Sequence, residues 1–316
     1  MAAQTDAQVA RLESDNRGVG ISLTQLAFRR LKRDRLTLVA IGIFMTLALL
    51  SLFAPVISNQ ILHVDYTRTN VPNKFLGIWE REKNESNSGT LNQLHVLGTD
   101  DIGRDHLARL LYAGRISLGI GFMGAILSLT IGLAIGIITG YHGGIIDDIF
   151  NWVITTLDSI PQLFLLLIIA AVLQPGPTTL VLVFGFLGWT GTTRLIRGET
   201  FSLREREYII SARAVGASSW RVMFAHIAPN VISIAVITLA ITIGNLILVE
   251  SALSFLGLGV EPPTPTWGNM LTKAQSFFTS GIHLVIAPGV LITTTVLCLY
   301  IIGDGIRDAF DPTLKD

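Results

Sequence analysis

The feature that most constrains this chain is the recurrence of long apolar runs. A bilayer-spanning helix needs roughly 20 consecutive, mainly apolar residues, because the hydrocarbon core is about 30 Å thick and a helix rises about 1.5 Å per residue. Runs of that length occur six times in the 316 residues, near 37–57, 116–140, 152–173, 178–196, 231–256 and 284–303. Half of all residues are hydrophobic and only 15% are charged, and the mean hydropathy is +0.57. That balance points to the bilayer rather than to water. The expected fold class is therefore an all-α integral membrane protein of six transmembrane helices.

An even number of spans puts both termini on one side of the membrane. The basic cluster Arg29, Arg30, Lys32, Arg33 and Arg35 before the first run places that side in the cytoplasm by the positive-inside rule. The segment after the fourth run agrees, carrying Arg194, Arg197, Arg204, Arg206, Arg213 and Arg221, whereas Leu258 to Ile282 holds only Lys273. Arg104, Arg109 and Arg115 run against the rule, on an external segment long enough for it to weaken. The organisation expected is a cytoplasmic tail and interfacial helix over 1–36, a first transmembrane helix over 37–57 and an external loop over 58–115. A core of five transmembrane helices follows over 116–306, with a cytoplasmic loop at 199–228, and then a cytoplasmic tail over 307–316. Ile21 to Asp34 reads as the interfacial helix, amphipathic and basic.

Residues 58 to 95 are rich in Asn, Ser, Glu and Lys and read as a solvated excursion, in which Asn84-Glu85-Ser86 is an accidental match to a glycosylation triplet. The polar first twenty residues lack the apolar centre of a signal peptide. The single cysteine, Cys298, allows neither a disulfide nor a cysteine metal site within one chain. Zero formal net charge suggests no nucleic-acid surface. Glycines within the runs form faces for close helix approach, Gly132-Gly136-Gly140 in the second and Gly185-Gly188-Gly191 in the fourth, with packing inside the chain the preferred reading.

The most informative polar stretch is Glu207 to Asn230, which reads as helix, break, helix. Ser211, Ala212 and Ala214 offer a small-residue surface, Gly216 suits a left-handed helix end, Ser218 suits the next N-cap, and Pro229 marks the entry to the fifth run. A knuckle of small residues outside the bilayer is what a docking element needs. A plain amphipathic connector is the competing reading of the same residues.

This stretch resembles the "EAA" coupling motif of ABC-importer permeases. Ala212, Gly216 and Pro229 occupy matching positions, whereas Ile210 stands where the motif has Glu, and Ser211 where it has its first Ala. His226 and Ala228 also depart from it, and Glu205 or Glu207 stands near enough to replace the missing acid. Three further segments are similar to the dipeptide/oligopeptide branch. They are His95 to Asp105 with Tyr112 to Leu118, Leu253 to Gly259 with Pro262 to Gly268, and the tail Gly303 to Pro312.

The resemblance implies a type I ABC importer permease fold, MetI-like, in the bacterial inner membrane, working in a heteromeric complex. The partners it implies are a second homologous permease, two ATP-binding cassette ATPases and an extracytoplasmic substrate-binding protein. It assigns ATPase coupling to Ser211, Ala212, Arg213, Ala214, Gly216, Ala217 and Ser218. No cofactor is expected on this chain. The sequence holds no G-x-x-x-x-G-K-[ST] loop, so ATP and magnesium belong to the partner ATPases. Peptide transport is the function implied, with nickel chelates, glutathione or another small solute as alternatives within the same architecture.

Ionisable groups within the runs are functional candidates, because a charge at the bilayer centre costs at least about 2.5–3.5 kcal/mol. Asp158, just before Pro161, and Glu250 with Asn245 are the candidates for the translocation path, with hydrogen bonding between helices as the competing reading. Asp147 and Asp148 read as solvated loop charges, and His142 as a loop-end residue rather than a metal ligand. An enzyme is disfavoured, since neither H-E-x-x-H nor a complete nucleophile elbow is present, so no catalytic or metal-binding residue is assigned. An ATP-independent secondary transporter would be expected to show repeated halves with broken helices, and no internal repeat stands out.

Overall fold

A computed structural model describes residues 23–82, 93–173 and 176–310. The triplet Asn84-Glu85-Ser86 and the ends 1–22 and 311–316 lie outside the described residues. Most of the described residues are helical; turns and loops make up the rest, together with a hairpin of two short antiparallel strands, β1 (Glu80–Arg81) and β2 (Leu94–His95), paired Glu80 to His95.

Among the described residues, five helices are long and apolar enough to cross a bilayer. Two are α2 (Arg35–Leu52) and the 37-residue α3 (His106–His142). The third is continuous through α6 (Pro177–Leu187) and α7 (Trp189–Arg204). The others end in α9 (Ala228–Phe255) and α11 (His283–Phe310). The sixth expected span, 152–173, is not straight. It is a pair, α4 (Gly144–Asp158) and α5 (Gln162–Val172), bent by 78°. The cause is local: Pro161 brings no amide hydrogen to the ladder and disfavours the helical conformation for Ile160 before it.

α3 is the central element, and its glycine stripe sets how closely α7 can lie against it. A Cβ on Gly132 would stand 2.7 Å from Thr192, one on Gly136 2.9 Å from Ile196, and one on Gly140 2.6 Å from Thr200. The stripe therefore packs inside the chain. Gly185 likewise faces Leu127 of α3, whereas Gly191 meets nothing. One apolar core joins α3, α6, α9 and α11 through residues such as Ile120, Phe184, Ile247 and Leu299. A second gathers Ile196, Ile209, Val222, Met223 and Ile227 at one end of the bundle.

That end is the knuckle face. It collects the C-termini of α3, α7 and α11 and the N-terminus of α2, since Arg204 donates to the Gly140 carbonyl at 3.1 Å and a Cβ on Gly305 would meet Thr37 at 2.0 Å. α1 (Leu23–Leu31) lies against α11 there, with Ala27 buried, and is separated from α2 by a turn at Lys32–Asp34. The opposite end, the loop face, is built from residues 63–82, 93–105 and 256–282, including α10 (Ala274–Ser280).

Two expectations change here. α3 begins at His106 rather than 116, because Asp105 caps it by accepting the Ala108 amide at 2.7 Å. The described part of the external stretch is not a loose excursion, since Val64, Asn73, Leu76, Glu82, His95 and Thr99 are all buried in it.

Candidate functional site

On the knuckle face, α8 (Glu207–Ala214) is fixed from beneath and bare above. Ile209 is fully buried in the second core, and the Arg213 guanidinium lies 4.8 Å above the Tyr141 ring. The helix ends where Gly216 takes φ +89°, and the Ala217 amide donates back to Ala212 at 3.0 Å. An L-residue resists that angle, and glycine does not. Ser218 then caps the next turn, accepting the Arg221 amide at 3.4 Å. Ser211, Arg213, Ala214, Gly216 and Ser218 are exposed, and Ala212 and Ala217 half-buried.

Beside these small residues stand large apolar ones that spacing alone did not single out. Val215 is 86% exposed, Phe224 65% and Trp220 63%, and the Trp220 and Phe224 rings stack with centroids 5.4 Å apart. Large apolar side chains left exposed together suit contact with lipid or with another macromolecule.

The candidates within the bundle separate. Asp158 pairs with Arg194 at 2.7 Å, beside the break between α4 and α5, and both side chains are partly exposed. Asn245 is exposed and accepts a 2.5 Å hydrogen bond from the Tyr300 hydroxyl. Glu250 has no exposed surface in this structure. It accepts from Ser117 at 3.1 Å and from Ser254 at 2.8 Å, and Ser117 in turn accepts the Trp267 amide at 3.1 Å. The Trp267 indole donates to the Leu110 carbonyl at 3.1 Å. Glu250 thus sits at the junction where the segments 112–118, 253–259 and 262–268 meet, a junction their separation in sequence conceals.

Three arginines or acids read as loop charges lie elsewhere. Arg194 and Arg197 are in α7, and Asp147 is buried, gripped through two oxygens by Arg197, with the Nη2–Oδ2 contact 2.6 Å. On the loop face, Arg104 bonds Asp100 at 2.7 Å and Arg109 stands 3.6 Å from the same carboxylate. The two guanidiniums therefore share one carboxylate, with Arg104 the closer. His95 bonds Asp105 at 2.7 Å and Glu82 at 3.4 Å. Burial opposes its charged form, but the hydrogen bonds and negative charges of Asp105 and Glu82 outweigh that and raise its pKa. Among the described residues no group of three or more His, Cys, Asp or Glu side chains could hold a metal.

Residues 132–316 match the family described as binding-protein-dependent transport system inner membrane component, and residues 22–77 match the N-terminal transmembrane domain of oligopeptide transport permease C. A dipeptide transport system permease protein of Alkalihalophilus pseudofirmus is 34% identical over 289 residues, 92% of this chain and 90% of that one. An oligopeptide transport system permease protein of Bacillus subtilis is 32% identical over 93% of this chain and 91% of its own length. A glutathione transport system permease protein of Pectobacterium atrosepticum is 38% identical over 70% of this chain and 73% of its own.

Proposed function

The chain belongs to the binding-protein-dependent transport system inner membrane component family, and from that premise we propose that it forms one half of the translocation path of an ATP-driven importer of di- or oligopeptides. As a member it is a multi-pass, all-α transport permease of the inner membrane, not an enzyme. The observation that carries the fuller reading is the knuckle, a glycine-turned element anchored by Ile209 and topped by exposed apolar side chains.

In this reading Ser211 to Ser218 enter a groove of an ATPase subunit, and ATP and magnesium stay with that subunit. The first and last described helices, α1 and the C-terminal end of α11, share the knuckle face, which lies in the cytoplasm. The loop face meets the binding protein. A second permease chain completes the path. Asp158 and Asn245 line that path together with Arg194, because an ion pair left exposed to lipid would be costly. Glu250 serves instead as the anchor that ties the loop face to α3.

The peptide substrate is supported by the dipeptide and oligopeptide permeases that this chain matches along nearly their whole length. The test is uptake of labelled dipeptides into vesicles holding the complete complex, with and without ATP, and with glutathione as competitor. ATP-dependent dipeptide uptake is expected. Uptake without ATP would overturn the importer reading, and uptake of glutathione alone would overturn the peptide reading. Orientation is tested with single cysteines at Ser218 and Ser280 in a Cys298→Ala background, where only the second is expected to react with an impermeant reagent on intact cells.

A further inference from the structure

The loop face contains a cavity of about 340 Å³ between the 100–109 segment and the 254–284 segment. Its volume is at the low end of small-molecule sites. Met270, Phe277 and Leu284 give it apolar wall, and Arg109, Asp101 and Glu261 give it charge.

Arg109 is 95% enclosed, yet it is poorly matched within the chain. Asp100 is already committed, taking the Arg104 guanidinium at 2.7 Å and the amides of Ile102 and Arg104 at 3.1 and 3.0 Å. It leaves Arg109 a contact of 3.6 Å to Nε, and among the described residues Nη1 has no hydrogen-bond partner. His106, which also lines the cavity, has a buried Nε2 without a partner. A buried guanidinium with an unmet edge is expensive, and the geometry of its fork suits a planar oxyanion.

The other charges narrow the choice of anion. Asp100, Asp101 and Glu261 line the same cavity, Asp100 and Asp101 already carry Arg104 and Lys273, and a phosphate dianion on Arg109 would leave Glu261 without a cation. A zwitterion would not. Lys273 already occupies Asp101 at 2.5 Å, whereas Glu261 is exposed, as a group at the cavity mouth would be.

We propose that this cavity is a receptor for a short zwitterionic peptide, its carboxylate held inward by Arg109 and its ammonium outward by Glu261. The ligand is a second site for the importer's class of cargo and in that respect rests on the peptide reading. The pocket itself is distinct from the Asp158–Arg194 region, which contributes nothing to its lining.

The experiment is calorimetric titration of the full chain with its partner subunits in lipid nanodiscs, without ATP or binding protein. The probes are dialanine, its C-terminal amide, N-acetyl-dialanine and inorganic phosphate. Dialanine is expected to bind saturably, its amide at least about tenfold more weakly, and acetyl-dialanine more weakly than dialanine. Arg109→Gln should match the loss seen with the amide. Because that variant removes a buried charge and can fail to fold, Ile102→Trp serves as a second probe that adds bulk to the cavity lining without removing a charge, and it should abolish binding. Equal affinity for dialanine and its amide, tighter binding of phosphate, no binding of dialanine, or wild-type binding in Ile102→Trp would each overturn the proposal. ATP-driven uptake is measured on the same preparation. Uptake without this binding sinks the pocket and leaves the importer reading, and binding without uptake does the reverse.

Discussion

The knuckle face and the loop face use the same backbone device for opposite ends. Gly216 on the first and Gly103 on the second both have positive φ, +89° and +76°. A Cβ on Gly216 would meet nothing within 4 Å, whereas one on Gly103 would fall 1.8 Å from the Asn70 carbonyl oxygen. The loop face turns its glycine against its own backbone and closes Glu250, Ser117 and Trp267 into a bonded cluster, with its unmet polar atoms confined to the cavity at Arg109 and His106. The knuckle stops at its exposed surface, with Val215, Trp220 and Phe224 left uncovered. A turn packed against its own backbone holds shape, and an apolar surface left uncovered is suited to contact with another molecule.

The comparison breaks first at Gly103. Gly103→Ala must move the backbone at Asn70, and a clash of that kind in a packed turn is expected to cost more than about 4 kcal/mol. Hydrogen exchange over 70–82 and 93–105 should rise sharply in nanodiscs. Unchanged protection would show that the loop face is looser than its contacts imply.

Glu250→Ala should come next. It strands the Ser117 and Ser254 hydroxyls and opens a cavity beside Trp267, at a cost of about 3 kcal/mol. Glu250→Gln retains hydrogen-bonding capacity and should lose much less. If both variants fold normally but lose transport equally, Glu250 belongs with the path and not with the anchor.

Gly216→Val sharpens the other side of the comparison. Strain from the left-handed backbone is about 1–2 kcal/mol or somewhat more for a β-branched residue, so the chain should insert and fold. Pull-down of the ATPase or coupling of hydrolysis to uptake should fail. With open space around the glycine, Gly216→Ala carries the strain with little crowding. A milder defect in Ala than in Val therefore measures crowding against the partner. Normal docking and uptake in the Val variant would remove Gly216 from the coupling element.

The smallest effect expected is the pH dependence of the loop face. The raised pKa of His95 means that its bonds to Asp105 and Glu82 add stability that is fully present below the ordinary histidine pKa of about 6.5 and is lost as pH rises through the higher folded value. Thermal unfolding of the loop face should weaken on that rise, and His95→Gln should flatten the dependence. An opposite slope would mean that His95 is neutral when folded.

How much of this was legible depends on the range of the interaction. Apolar run length is a local property, so it located the spans, but it missed the start of α3 at His106 and the 78° break at Pro161, where a single ring interrupts an otherwise continuous hydrophobic segment. Gly216 was legible for the same reason: a helix end followed by a capping serine is written within a few residues. Asp147, Arg194 and Glu250 were not, because a charged letter does not say whether its partner lies 50 or 133 positions away. The sequence determined by itself the membrane setting, the helical class and the knuckle, all consequences of hydrophobic length and local backbone preference. Only the tertiary structure decided which charges pair, which carboxylate is enclosed, and that Arg109 is left with an open edge, since these depend on where distant helices bring their side chains together.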